Sequence, residues 1–176
     1  MYKIIAVREE VRVPPEKFSH DLEESIKDSL GMKIEGKLIS ELGGVVVAVF
    51  GVRNVGEGRM VPEDGAFFYA AEVELLVYAP EMQEVVEGMI VDVTEFGAFV
   101  RMGPIDGLVH VSQVMDDFVS YDKKNAVFFG KESKKVIKEG DDVRARVVSI
   151  SLSKGNKIGL TMRQPLLGGI NVKKDK

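Results

Sequence analysis

The sequence predicts two domains of different class, an α+β unit with a curved antiparallel sheet and one main helix, then an all-β five-stranded barrel. Three observations predict it. Apolar residues recur every four positions in one stretch, Phe18, Leu22, Ile26 and Leu30, the stripe of one amphipathic helix. Most of the remainder consists of short β-rich runs separated by turn residues, with 18 glycines among 176 residues. Pro80 and Glu81 interrupt that pattern between a strand-helix-strand part and an all-strand part, which sets domains at 1–80 and 81–165 and leaves a tail at 166–176.

In the first part, residues 2–13 read as a long strand carrying Ile4, Ile5, Ala6, Val7, Val11 and Val13. Pro14-Pro15 ends it, and Pro15 suits a helix start, where its missing N–H is not needed. The helix is expected from Glu16, with Asp21, Glu23, Glu24 and Asp28 mostly off the stripe and Gly31 at its end. Residues 32–42 alternate weakly and allow a strand. Gly43-Gly44 is a turn, and 45–55 is β-rich. Gly56-Glu-Gly-Arg-Met-Val-Pro-Glu-Asp-Gly65 is expected to be a shaped, protruding loop, since no Gly-Lys-Ser/Thr and no helix follow to make it a phosphate cradle. Residues 66–79 close the sheet.

The second part opens with three short strands, 89–94, 96–102 and 108–111. Along the second, Ala98, Val100 and Met102 share one face, while Gly97, Phe99 and Arg101 share the other. A face bearing an aromatic and a cation can stack a base and attract a phosphate, and His110 on the third strand is its neighbour. From this stretch alone a second reading stands: Phe96 and Phe99 belong to the core, and His110 is a satisfied edge residue. Ser112 to Val114 form a corner. Residues 116–135 are too long and polar for a plain connection and are expected to be an insertion or interaction element. Within it, Asp116-Asp117 has no further ligands in pattern and suits capping better than a metal. After Gly140-Asp141, Val143, Ala145 and Val147 face inward, with Arg144 and Arg146 outward. Residues 153–156 are a turn. In the last strand Ile158, Leu160 and Met162 face inward, with Lys157, Thr161 and Arg163 outward. Five such strands with outward cations fit an OB-type barrel.

Charge is distributed unevenly. The net is −4, yet residues 131–176 carry twelve Lys/Arg against five Asp/Glu. A basic last third can meet phosphate while the acidic remainder meets protein. The chain has no cysteine, which excludes disulfides, thiolate metal sites and a thiol nucleophile. No apolar run is long enough for a membrane helix, and charge arrives too early for a signal peptide, so a cytoplasmic protein with no membrane partner is expected. The only histidines are His20 and His110, and no acid cluster or nucleotide motif accompanies them. No catalytic site, metal or cofactor is expected.

Four blocks resemble, in order, the RNA-binding OB domain named after ribosomal protein S-one: Val86-Glu-Gly-Met-Ile-Val-Asp-Val-Thr-Glu-Phe-Gly-Ala-Phe-Val100, Gly107-Leu-Val-His-Val-Ser-Gln113, Lys138-Glu-Gly-Asp-Asp-Val143 and Lys157-Ile-Gly-Leu-Thr161. The resemblance implies that Phe96, Phe99, His110 and Lys157 line an RNA surface, to which the outward Arg101, Arg144, Arg146 and Arg163 add charge. Ser151 stands where many members carry aspartate.

The chain as a whole is similar to the E-prime family of archaeal RNA polymerase subunits, the counterpart of the seventh subunit of eukaryotic polymerase II. Val55-Gly-Glu-Gly58, Pro62-Glu-Asp-Gly65, Met115-Asp-Asp-Phe-Val-Ser-Tyr-Asp122, Gly130-Lys-Glu-Ser-Lys134 and Gly159-Leu-Thr-Met-Arg-Gln-Pro165 carry it. Glu63 departs from it, since many relatives have glycine there. This resemblance implies a truncated ribonucleoprotein-like first domain and a non-catalytic subunit. The loop holding Gly56, Gly58, Pro62, Asp64 and Gly65 would dock on the polymerase core near the clamp. A smaller polymerase protein, the F subunit, would complete a heterodimer. The barrel would contact nascent single-stranded RNA, and the pair would assist promoter opening. A stand-alone RNA-binding module in translation or RNA decay would explain residues 84–163 equally well, but not the acidic first unit, its glycine loop or the insertion.

Overall fold

A computed structural model describes residues 1–151 and 157–170. The chain divides into two compact units, Met1–Ala79 and Pro80–Lys176. Among the described residues no helix is long and apolar enough to cross a membrane.

The first unit contains β1 (Tyr2–Val13), α1 (Leu22–Ile34), β2 (Leu38–Ile39), β3 (Gly44–Arg53), β4 (Gly58–Met60) and β5 (Phe67–Tyr78). The sheet runs β1-β5-β3-β2, with β4 on the early part of β5, and every pairing is antiparallel. Bulges between Val46 and Ala48 and between Val49 and Gly51 bend β3 and curve the sheet. The helix packs Ile26 and Leu30 onto Val11, Val13, Val46, Val49, Val73, Leu75 and Val77. Each fully buried aliphatic side chain there contributes about 1.5–3 kcal/mol.

The helix differs from the expected one at both ends. Asp21 is its N-cap, accepting from the Glu23 and Glu24 N–H groups at 3.1 and 3.4 Å. That cap outweighs the start signal of Pro15, which instead opens a 3-10 turn, Pro15–Lys17. Phe18 therefore leaves the stripe and packs on Phe67, ring centroids 5.2 Å apart. Gly31 lies inside α1, where a Cβ would meet the Glu35 Oε1 at 3.1 Å. The Glu35 carboxylate uses that space to accept from Val49 N–H at 3.0 Å, tying the helix end to β3. The glycine that follows the end is Gly36, at φ +74°. Residues 32–42 are not one strand: β2 has two residues and leads into a 3-10 turn, Ser40–Leu42. The expected protruding loop is itself partly sheet, because β4 pairs Gly58, Arg59 and Met60 with Tyr69, Phe68 and Phe67.

The second unit contains β6 (Val85–Thr94), β7 (Gly97–Arg101), β8 (Asp106–His110), β9 (Val119–Asp122), β10 (Val127–Gly130), β11 (Val136–Lys138), β12 (Asp142–Ser151), β13 (Lys157–Thr161) and β14 (Gly168–Gly169). Five strands close the barrel: β6, β7 and β8 pair in turn, β8 pairs with β13 in parallel, β13 pairs with β12, and β12 returns to β6. Ala98, Val100, Val143, Ala145, Val147, Ile158 and Leu160 fill it, as the alternation predicts, and Val86, Ile90, Val93 and Val109 join them. Thr161 is a correction. It is buried rather than outward, because its hydroxyl donates to the Gln113 side-chain oxygen at 2.8 Å.

The insertion is not irregular. It is an antiparallel meander in the order β11-β10-β9. Phe128 is 0% exposed and pairs in register with the buried Ile137. Tyr121 packs on Phe128 at 5.6 Å, and its hydroxyl donates to the Val93 carbonyl at 3.4 Å, fastening the meander to β6. The Asp116-Asp117 pair divides its work. Asp117 accepts from the N–H groups of Phe118, Glu132 and Ser133, a turn-holding role, while Asp116 receives Arg163. The tail also begins in ordered form. Residues 168–169 pair with β12, and Ile170 N–H donates to the Asp142 carbonyl at 2.8 Å. The turn expected at 153–156 and the last six residues of the expected tail lie outside the described residues.

Candidate nucleic-acid interface

A Cβ at Gly97 would sit 2.3 Å from the Val109 carbonyl oxygen, so glycine is what lets β7 approach β8 here. The resulting register sets Gly97 opposite His110, Phe99 opposite Leu108 and Arg101 opposite Asp106. Directly paired residues share a face. Phe99, Arg101, Leu108 and His110 therefore form one outward surface, while Ala98 and Val100 fill the barrel.

Phe96 occupies the β6–β7 turn and is 49% exposed. Thr94 Oγ1 donates to the Gly97 carbonyl at 2.9 Å, and Val111 N–H donates to the Phe96 carbonyl at 2.9 Å, which fixes the turn. The Phe96 and Phe99 rings meet edge to face, 6.1 Å apart at 90°. That arrangement satisfies the pair electrostatically, with Phe96 exposed and Phe99 half-buried. The core reading of Phe96 is thus overturned. His110 closes the group. Ser112 N–H donates to its Nδ1 at 3.3 Å and the Ser112 hydroxyl lies 2.9 Å from the same nitrogen, which leaves Nε2 for a phosphate or base oxygen.

The cations separate into two sets. Parallel pairing of Leu108 with Gly159 brings Lys157, two residues earlier, level with Asp106 at the Arg101 end of the same surface. Lys157 also pairs with Ser151, so the residue that departs from the common aspartate leaves this lysine without a carboxylate opposite. Arg101 is held by Asp106 at 3.1 Å. Arg144 and Arg163 are not gathered beside the rings: Glu87 holds the first at 2.9 Å and Asp116 the second at 2.8 Å. Arg146 is half-buried, with an Nε that has no partner. Exposed pairs of this kind are worth about 0–1 kcal/mol, so a phosphate can displace the carboxylate, but at rest they weaken the local positive field. Asp92 is a residue that periodicity does not reveal. A bulge between Ile90 and Asp92 turns it outward, directly opposite Phe99.

The second predicted group lies on the first unit. Gly56 N–H donates to the Ala70 carbonyl at 2.8 Å, and a Cβ at Gly58 would meet the Tyr69 ring at 2.5 Å. Pro62 begins the turn beyond β4, Asp64 N–H donates to the Val61 carbonyl at 3.3 Å, and Glu63 and Gly65 have φ of +75° and +66°. Asp64 takes Arg12 Nε on both carboxylate oxygens, at 3.1 and 2.9 Å. Those hydrogen bonds hold the Asp64 carboxyl below its ordinary value and raise Arg12. The outcome is a braced tip on which Met60 is 58% exposed. Among the described residues no group of three or more His, Asp or Glu is placed to hold a metal ion.

Comparison with known proteins gives two matching family models. Residues 79–163 match the S1 RNA binding domain, and residues 8–65 match the SHS2 domain found in the N terminus of Rpb7p and Rpc25p. "DNA-directed RNA polymerase subunit Rpo7" of Saccharolobus shibatae is 44% identical over 171 residues, covering 96% of this chain and 94% of that protein. The Rpo7 subunit of Saccharolobus solfataricus is 44% identical with the same coverage. That of Sulfolobus acidocaldarius is 40% identical over 172 residues, covering 97% of this chain and 93% of that protein. With nearly full-length similarity and both domain models in order, the chain belongs to the Rpo7 family of DNA-directed RNA polymerase subunits.

Proposed function

We propose that the chain is a non-catalytic polymerase subunit that docks through its first unit and holds nascent single-stranded RNA on its barrel. The observation that carries this reading is the outward group of Phe96, Phe99 and His110, with Lys157 on the same surface and Ser151 rather than an acid across from it on β12. The rings stack bases, His110 Nε2 and Lys157 meet phosphate or base groups, and nothing in the group reads a base edge in a fixed pattern. Binding is then weak, tolerant of sequence and dependent on salt. The paired Arg101, Arg144 and Arg163 release their carboxylates when a phosphate arrives.

The first unit supports docking because its glycine loop is braced by Asp64 and Arg12 and presents Met60. In this reading Gly56, Gly58, Pro62, Asp64 and Gly65 shape a tip that enters the polymerase core near the clamp. The smaller F subunit completes a heterodimer, and the docked pair favours the open promoter. The protein works in the cytoplasm.

The test is filter binding of oligouridine to the wild-type chain and to Phe96→Ala with Phe99→Ala. Stacking is worth about 1–3 kcal/mol per base, so an affinity loss of about tenfold or more is expected, with the melting temperature retained. Equal affinity removes the stacking role. Affinity purification that recovers no polymerase subunits removes the docking role and favours a free-standing RNA-binding module.

A further inference from the structure

The outward face of the meander repeats, in other residues, the pattern of the β7–β8 surface. Phe129 lies opposite Ser120 on one side and Val136 on the other, and Val127 lies between Asp122 and Lys138. Lys131 N–H donates to the Phe118 carbonyl at 3.0 Å, which carries the β9–β10 pairing one step further. Residues two apart share a face, so Phe118, Phe129, Lys131 and Lys138 belong to one surface, opposite the buried Phe128 and Ile137. Phe118 is 73% exposed and Phe129 is 39% exposed. They occupy diagonal cross-strand positions, about 7–8 Å apart.

The carboxylates nearest these rings are already engaged by other groups, while two lysines of the face are not. Asp116 is occupied by Arg163, Asp117 by the 132–133 turn, and Asp122 by Lys124 N–H and the Asn125 side chain. Among the described residues Lys131 and Lys138 have no carboxylate partner. A protein-binding patch is normally depleted of lysine at its centre. Two exposed rings set among free lysines instead suit a stacked, anionic polymer. The meander is fastened to β6 at Val93, three residues before Phe96.

We propose that this face is a second single-stranded RNA platform, with Phe118 and Phe129 stacking bases and Lys131 and Lys138 meeting phosphates. It extends the RNA path of the barrel and rests on the reading that the barrel holds RNA. A short strand is held by the β7–β8 surface alone, and a longer one reaches both.

The test uses the full chain and labelled oligouridines of about 6 and about 20 nucleotides, lengths chosen from the usual footprint of one OB fold. Phe118→Ser with Phe129→Ser is expected to weaken the long oligonucleotide by about fivefold or more and to leave the short one unchanged. Lys131→Glu with Lys138→Glu is expected to weaken the long one and flatten its salt dependence. Phe96→Ala with Phe99→Ala is expected to weaken both. Retained melting temperatures establish that the variants are folded. Unchanged affinity for the long oligonucleotide in both meander variants overturns the proposal, as does unchanged RNA binding with lost capture of polymerase subunits, which makes the face a protein-docking surface. If the meander variants weaken the long strand while Phe96→Ala with Phe99→Ala changes neither, the platform stands and the β7–β8 site falls.

Discussion

On the first unit, exposed cations meet carboxylates across the sheet or loop: Arg12 meets Asp64, Arg59 meets Glu10 at 2.6 Å, and Arg53 meets Glu74 at 3.0 Å. On the aromatic surface of the barrel, Lys157 faces Ser151, and His110 keeps one ring nitrogen open. The contrast separates two ways of binding. A surface whose cations are paired within the chain has a preset shape and no free positive charge at those pairs, which suits entry into a formed protein cavity. A surface with rings, and with a lysine that faces serine on one side, suits a flexible polyanion whose phosphates add the further charge.

The largest way to break the contrast is to remove the core of the meander. Phe128→Ala deletes a fully buried ring and is expected to cost about 3–5 kcal/mol in chemical denaturation. If the variant is as stable as wild type, the meander is not packed as described. Next is Asp92→Asn, which removes the one carboxylate opposite Phe99. RNA affinity is expected to rise about two- to threefold at low salt and to converge with wild type at high salt, as a screened surface charge requires. A smaller effect belongs to the loop. Glu63 has φ +75°, so Glu63→Gly relieves a left-handed backbone and is expected to stabilise the first unit by about 0.5–1 kcal/mol in thermal melts. No gain would mean that the Glu63 side chain offsets the strain.

The smallest effect is one of pH. Asp117 is lowered from its ordinary 3.8, first by the Ser133 N–H, with the Ser133 hydroxyl and the Glu132 and Phe118 N–H groups adding to it against desolvation. A carboxyl lowered by folding stabilises the fold above its unfolded pKa, and that contribution is lost as pH falls through the folded one. Asp117→Asn is therefore expected to be less stable than wild type at neutral pH, with the difference closing below pH 3.8. A difference that is constant across acid would assign the loss to shape rather than charge.

Strict alternation makes the barrel legible, because Ala98, Val100, Val143, Ala145 and Val147 leave one assignment of faces. The Ile26–Leu30 half of the helix stripe is legible, whereas Leu22 is exposed and Phe18 lies before the helix, because Asp21 and Glu35 set its limits through hydrogen bonds that apolar spacing does not encode. The meander is opaque for another reason. Its strands have three or four residues, and Phe128-Phe129 puts similar side chains on opposite faces, so no period appears. At the site, spacing puts Phe99 and Arg101 on one face with His110 beside it, while Phe96 and Lys157 join the group only through the family resemblance. The carboxylates that engage Arg144 and Arg163 are 57 and 47 residues away in sequence and are not. Glu63 is the instructive middle case, since a glycine expected by resemblance corresponds to a left-handed backbone in the fold.

The central claim is that the two units bind different kinds of partner through separable residues. The most direct measurement takes two variants, Phe96→Ala with Phe99→Ala and Arg12→Ala with Asp64→Ala, and determines for each the oligouridine affinity and the recovery of polymerase subunits from native extract. The barrel variant is expected to lose RNA affinity while recovering the polymerase. The loop variant is expected to retain RNA affinity while recovering less polymerase. If both variants lose both activities to the same degree while remaining folded, the division of labour is contradicted.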